Sequence, residues 1–334
     1  MLSNAGLPGR AARLRRSAPL CTVLLAAACV LLRWSVPVEA QQPVFRSGGD
    51  IVRVFVTVIG GDGRLVTTLT QDVFQVRDEG TVQPITLFDR SPLPIRLVVM
   101  LDVSGSMEGN LPLLRDATEQ LLDHLRPEDL ARVGSFGYDI EISPSFTRNR
   151  AELLDAVPER IQPDAPTPLW QGLNDAMDAF DRSDEARRVV LVLSDGKDTG
   201  VGRVDFQRGV ASQAQVIDRA REQDVMIYAV GLRSRGQRQM PGIGPGGLRA
   251  AMLADLPDPG LARVAEETGG GYVEIRFGED LGSAFAGVAD ELHSQYLLGF
   301  VPPKRDGKVH DIDVRVTGRG LKPRARKSYV APAG

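Results

Sequence analysis

Hydrophobic positions change their rhythm along this chain. Between residues 51 and 58 they alternate, with Val52, Val54, Val56 and Val58 on one face and Arg53 and Thr57 on the other, the period-two pattern of a half-covered strand. The stretch Gly60-Gly61-Asp62-Gly63 predicts a turn. Short strand-like pieces follow at residues 74–77 and 85–88, separated by Asp78-Glu79-Gly80. Residues 45–90 therefore predict a small antiparallel β segment.

From about residue 92 the apolar runs become uninterrupted, at 97–101, 189–193 and 225–230, as in strands covered on both faces. Between them lie helical spacings: Leu114, Ala117, Leu121 and Leu125; then Leu169, Leu173, Ala176, Met177 and Phe180; then Val216, Ile217 and Ala220. This alternation predicts an α/β fold with a doubly wound, mostly parallel sheet. Residues 233–258, rich in Gly and Pro, are too long for an ordinary connection and are expected to form a mobile surface insertion. The sequence Gly-Ile-Gly-Pro-Gly-Gly within it follows no strand and opens no clear helix, so it is not a nucleotide-binding loop.

The α/β pattern resumes at 261–268, followed by a strand near 272–275 and a helix at about 280–294. Residues 296–301 and 309–316 then read as strands, the second alternating Ile312, Val314 and Val316 against Asp311, Asp313 and Arg315. These late strands are expected to pair with those before residue 90, so that one β unit closes from both ends of the chain. The expected organisation is 45–90 as an N-terminal β segment, 92–300 as the α/β domain, and 301–334 as a C-terminal β segment.

Residues 1–40 follow none of these patterns. Arg10, Arg13, Arg15 and Arg16 precede an apolar segment at 20–32 that is short for a membrane span. Val38-Glu39-Ala40 offers small residues where a signal peptidase inspects the chain. A cleaved export signal is expected, with a periplasmic or extracellular protein as the product. The alternative is an uncleaved anchor, with Arg33 and Trp34 at the membrane interface. Cys29 after Ala27-Ala28 suggests lipidation, but the apolar run continues past it to Leu32; Arg15-Arg16 lacks the apolar consensus that follows twin-arginine pairs.

Composition narrows the picture modestly. Hydrophobic residues make up 43% and charged residues 25%, an ordinary globular mixture. Both cysteines, Cys21 and Cys29, lie in the leader, so the remainder needs neither a disulfide nor a thiolate metal site. The net charge is −3, and loss of the Arg-rich leader makes the remainder more acidic still, which argues against nucleic acid as a partner.

The chemistry concentrates in Met-Leu-Asp-Val-Ser-Gly-Ser-Met at 100–107. In a doubly wound sheet, ligands sit where loops leave the carboxyl ends of the strands. Asp102, Ser104 and Ser106 follow one apolar run, Asp195 follows another, and Thr167 precedes a helix that can start at the same edge. Two carboxylates and three hydroxyls make an all-oxygen set, suited to hard divalent cations such as Mg2+. Each residue also has a plain local role: Ser104 and Ser106 in turns, Thr167 as a helix N-cap before Pro168, and Asp195-Gly196 as a turn pair.

Taken together, Asp102-x-Ser104-x-Ser106, the distant Thr167 and the later Asp195-Gly196 resemble the metal-ion-dependent adhesion site of von Willebrand factor type A domains, over about residues 92–300. The flanks, with Val-Phe-Val-Thr-Val-Ile before and Tyr-Leu-Leu-Gly-Phe-Val-Pro-Pro after, are similar to those of secreted bacterial relatives. The resemblance implies Mg2+, or Mn2+ or Ca2+, at Asp102, Ser104, Ser106, Thr167 and Asp195, with one coordination position open to an Asp or Glu of a protein partner. It also permits a conformational switch through the helix at 280–294. Pro166 stands where many members have Gly.

A non-enzymatic binding module is expected. One alternative is a scaffold with a vestigial metal site. The other, a metal-dependent hydrolase, lacks supporting residues: His124 and His293 read as surface or packing residues, His310 begins a late strand, and no Gly-x-Ser-x-Gly elbow surrounds Ser104.

Overall fold

The alternating valines of the first strand, β1 (Val52–Ile59), turn Val52, Val54, Val56 and Val58 into one core and leave Phe55 on the opposite face. In the computed structural model the described residues are 51–107, 110–181, 186–195, 198–200, 210–233, 257–276 and 279–334. The expected export signal and residues 234–256 of the expected insertion lie outside them.

After β1, β2 (Phe74–Asp78) and β3 (Thr81–Gln83) form a hairpin, and β4 (Leu87–Asp89) follows. The strand expected at 85–88 is thus displaced, and an unforeseen strand precedes it. Glu79 and Gly80 both hold left-handed backbone angles, φ 48° and 77°, so the chain reverses directly after Asp78. Pro84 has no amide hydrogen with which to extend the ladder towards Ile85.

The chain then runs through β5 (Ile95–Asp102), α1 (Leu111–His124), β6 (Leu130–Phe136), β7 (Ile140–Ile142), α2 (Arg150–Asp155), α3 (Leu169–Met177) and β8 (Arg187–Ser194). It continues through α4 (Gln213–Gln223), β9 (Val225–Leu232), α5 (Pro259–Thr268), β10 (Tyr272–Ile275) and α6 (Leu281–Leu292). Strands β11 (Tyr296–Phe300), β12 (Val309–Val316), β13 (Lys322–Arg324) and β14 (Ser328–Val330) complete it.

Six strands form a mixed central sheet in the order β10-β9-β8-β5-β6-β7. Neighbours are parallel except β6 and β7. Its faces follow the two-residue period of β5. Leu97, Val99 and Leu101 pack with Leu114 and Leu121 of α1 and Phe285 and Leu292 of α6. Val98 and Met100 pack with Leu173 of α3, Val216 of α4 and Val264 of α5. Burying each of these large aliphatic side chains contributes about 2 kcal/mol, which is why these strands carry no polar alternation.

The chain ends meet in two antiparallel four-stranded sheets, β13-β1-β11-β4 and β14-β12-β2-β3. A shared apolar cluster joins them, with Val54 and Val56 of β1, Val76 of β2, Leu298 and Phe300 of β11, and Tyr329 of β14. The reverse face of β1 meets the α/β part through polar contacts. Thr57 Oγ1 donates to Glu291 Oε1 of α6 at 2.9 Å, Tyr228 and Arg324 donate to the same oxygen, and Gln295 Nε2 donates to Thr57 Oγ1 at 2.7 Å.

At the amino end of β5, buried Asp129 accepts from the Ile95 amide at 3.0 Å and the Arg126 amide at 2.7 Å, and pairs with His293 Nε2 at 2.8 Å. Burial acts to raise the Asp129 carboxyl, but these hydrogen bonds outweigh it and hold the group below its ordinary value. A carboxyl lowered in the folded state adds stability above its unfolded value, about pH 4, and that stability drains as pH falls through the folded value. Asp129→Asn should therefore cost about 2 kcal/mol at neutral pH and flatten the acid decline. Thermal melts followed by circular dichroism from about pH 6 to 3 test this; parallel acid limbs in the two proteins would contradict it.

Candidate metal-binding site

Parallel pairing of β5 with β8 sets Leu101 against Leu193, so both strands release their chains at one edge. Asp102 is the last residue of β5, Ser194 the last of β8, and Asp195 comes next. All three are buried: Asp102 and Ser194 are 0% exposed and Asp195 1%. Beyond β5 the backbone tightens into a 3-10 turn at Gly105–Met107, anchored by buried Met107, whose amide donates to the Ser104 carbonyl at 3.0 Å.

A continuous run of oxygen contacts links the segments. Ser194 Oγ donates to Asp102 Oδ2 at 2.5 Å, and the Ser104 amide donates to Asp102 Oδ1 at 2.9 Å. Ser104 Oγ and Ser106 Oγ are 3.0 Å apart, and Ser106 Oγ donates to Asp195 Oδ1 at 2.7 Å. Ser104 is buried whereas Ser106 is exposed, so the arrangement has a dry floor and one side open to solvent. Ser194 was not anticipated from the sequence; its only signal is a hydroxyl at the end of an otherwise apolar run.

Thr167 joins this edge by another route. The Gln162 amide donates to the Val103 carbonyl at 2.9 Å, which draws residues 162–167 alongside the β5 loop. Gly105 permits the approach, because a Cβ there would sit 3.0 Å from the Asp164 amide nitrogen. Thr167 is then fixed through its backbone: its amide donates to Thr199 Oγ1 at 2.7 Å and its carbonyl accepts from the Thr199 amide at 3.0 Å. Hydrogen bonds thus connect Asp102, Ser104, Ser106 and Asp195 directly, while Thr167 makes no hydrogen bond to those four among the described residues.

Nor does Thr167 cap the following helix. Helix α3 starts at Leu169, with Pro168 in the cap position and no side-chain cap bond. Asp198 supplies the acceptor instead, taking the Trp170 amide at 3.4 Å. Burial raises the Asp198 carboxyl, with the Asp258 charge adding to the effect, against the hydrogen bonds from the helix amides.

Electrostatics at the floor favour a bound cation. Burial drives the Asp102 carboxyl above its ordinary range, and hydrogen bonds from Ser104 and Ser194 offset this only in part. Among the described residues no Lys, Arg or His hydrogen-bonds Asp102. A buried carboxylate with neutral hydroxyl neighbours is a donor set that Mg2+ or a similar hard cation fits.

Residues 97–257 match the sequence profile of the von Willebrand factor type A domain. The chain contains a von Willebrand factor type A domain. The matched segment includes all five site residues, and the mixed central sheet with its helices is the fold of that domain. The solved structures that are similar include a von Willebrand factor type A protein from Catenulispora acidiphila, at 14% identity over 86% of this chain and 76% of that one, with a TM-score of 0.46. An aerotolerance-related membrane protein from Bacteroides fragilis is similar at 15% identity over 59% of this chain and 98% of that one, TM-score 0.41. The pilus adhesin SpaC from Lactobacillus rhamnosus GG is similar at 10% identity over 79% and 44%, TM-score 0.41. No curated protein matches the chain significantly.

The bond from Ser194 to Asp102 gives a direct test of how the floor of the von Willebrand factor type A domain is built. Ser194→Ala leaves a buried carboxylate oxygen without its donor and should destabilise the metal-free protein by about 1–3 kcal/mol. Thr317→Ala, at an exposed position just after β12 and remote from the site, should cost no more than about 0.5 kcal/mol. Urea denaturation of both variants measures the difference; equal losses would contradict the arrangement.

Proposed function

We propose that this von Willebrand factor type A domain is a protein-binding module that captures an Asp or Glu of a protein partner through a divalent cation. The cation is Mg2+, with Mn2+ and Ca2+ as alternatives, and Asp102, Ser104, Ser106, Thr167 and Asp195 hold it. The observation that carries this is the continuous oxygen path from fully buried Asp102 to exposed Ser106 and on to Asp195. A carboxylate destabilised by burial gains strongly from a nearby cation, and hydroxyl ligands leave the charge of that cation largely unquenched. Once bound, the ion supplies an electrophilic centre for an incoming carboxylate. The side open at Ser106 gives that carboxylate its approach.

Binding is favoured over hydrolysis by where the histidines lie. His293 is engaged by Asp129 beside Ile95, a strand's length or about 20 Å from Asp102. His124 ends α1 and contacts the Gln120 carbonyl at 2.8 Å, and His310 belongs to β12 in a flanking sheet. None is placed to serve as a general base beside Ser104. We also take residues 1–40 as an export signal, which makes the partner a periplasmic or extracellular protein.

Calorimetric titration of Mg2+ and Mn2+ into the purified chain tests this reading. One saturable site is expected, lost in Asp102→Ala and weakened at least tenfold in Thr167→Ala, while both variants keep the wild-type circular dichroism spectrum. With Mn2+ loaded, a Glu-containing peptide should lower the water-proton relaxation enhancement by displacing metal-bound water. Absence of metal binding by the wild type would leave the fold as a scaffold and overturn the proposal.

A further inference from the structure

A different group of ligand-type side chains lies where the two ends of the chain meet. Asp78 closes β2, Glu79 begins the tight turn after it, and His310 is the second residue of β12. The pairing of β2 with β12, Asp78 opposite Ile312, brings them together across 232 positions of sequence. One potential ligand atom from each of Asp78, Glu79 and His310 lies within 4.8 Å of the others. This location is in the β14-β12-β2-β3 sheet, not at the carboxyl edge that carries Asp102.

The His310 ring fixes the chemistry. Its Nε2 faces Asp306 Oδ1 at 3.2 Å and its Nδ1 faces Asp78 Oδ1 at 3.0 Å. When Nε2 donates to Asp306, Nδ1 turns its lone pair towards the Asp78 carboxylate, an arrangement satisfied either by a second proton on the ring or by a bound cation. A carboxylate on the remote ring nitrogen is the usual support for a metal-bound histidine. In a tetrahedral ion with bonds of about 2.0 Å, neighbouring ligands are about 3.3 Å apart, near the observed 3.0 Å.

Two further observations point to a cation. Asp78 is 1% exposed and its second oxygen, Oδ2, is buried without a hydrogen bond. Such a group is costly unless a ligand engages it. Three carboxylates, of Asp78, Glu79 and Asp306, lie around a single imidazole, with the Lys308 charge acting on Asp306. The nearby Arg326 guanidinium is committed to Asp224 Oδ1 at 2.6 Å and the Arg53 carbonyl at 2.5 Å. The Tyr329 hydroxyl lies 3.5 Å from His310 Nδ1 and supplies no charge. Exposed Glu79 and partly exposed Asp306 leave an entry path.

We propose that Asp78, Glu79 and His310, supported by Asp306, form a binding site for Zn2+ or a similar first-row divalent ion that clamps the β2–β3 turn to β12. The imidazole distinguishes it from the all-oxygen set at Asp102, since zinc favours nitrogen and oxygen donors together whereas magnesium favours oxygen alone. Because the clamp joins chain segments far apart in sequence, binding stabilises the folded state alone.

The test is Zn2+ calorimetry and thermal melting on the full chain carrying Asp102→Ala, which silences the carboxyl-edge site. Expected are one saturable Zn2+ site and a melting temperature raised by about 5 °C at a hundredfold excess over Kd. Adding Glu79→Gln, which keeps an acceptor for the Asp311 amide, should weaken Zn2+ at least tenfold, and adding His310→Gln should abolish binding. If the Asp102→Ala chain takes up no Zn2+, a proton shared by His310 and its carboxylates accounts for the cluster and the proposal fails. Binding untouched by both additional substitutions overturns it equally.

Discussion

The parallel pairing of β5 with β8 is the constraint from which the rest of the α/β part follows. Both strands are apolar almost from end to end, so they are stable only with helices on both faces. Parallel direction forces each connection to cross over, which places the departing loops of both strands together. Asp102 and Asp195 belong to segments 93 residues apart, yet Ser194 reaches Asp102 directly. The opposite end of the same pairing explains the Asp129–His293 pair and Arg187. Arg187 starts β8, donates to the Leu292 carbonyl at 2.9 Å and lies over the Phe55 ring at 4.8 Å. Full burial pushes its guanidinium down to about 10, still charged at neutral pH.

The flanking sheets solve a different problem. β1 has two useful faces: its valines close a core with β2, β11 and β14, and Phe55 and Thr57 meet the α/β part. Neither flank could form these sheets alone, because β1 pairs with β11 and β13 while β2 pairs with β12. The single carboxylate of Glu291 gathers donors from β1, β9 and β13, a polar junction that fixes α6 relative to both flanks. Breaking one member would strand the others in a buried setting.

Much of this was legible in the sequence where one physical signal dominated. The continuous apolar runs of β5, β8 and β9, and the alternation of β1 and β12, leave little freedom in their assignment. β6 was not legible, because Gly134 and Ser135 interrupt its apolar character. Only its neighbour explains the glycine, since a Cβ there would come within 2.6 Å of the Glu141 carbonyl oxygen in β7. β3 depends on left-handed angles at Glu79 and Gly80, and Glu is not a residue that advertises such a turn. At the site, Asp102, Ser104, Ser106 and Asp195 stood out through spacing after strands. Ser194 was hidden inside an apolar run, and the setting of Thr167 depends on Thr199, which no local pattern connects to it.

His310 shows why spacing alone failed at the second cluster. Its partners Asp78 and Asp306 lie 232 and 4 residues away, and alternation along β12 describes only the strand's two faces. The antiparallel register of β2 with β12 converts that remote separation into contact. The two clusters then differ for a simple reason. Parallel strand ends of the central sheet splay short polar loops and yield hydroxyl and carboxylate oxygens, open on one side. The hairpin end of the flanking sheet brings a turn carboxylate against a strand imidazole, a tighter arrangement with mixed donors. On the proposed readings a partner would approach the first through Ser106, whereas an ion at the second would join segments far apart in sequence and so act on folding.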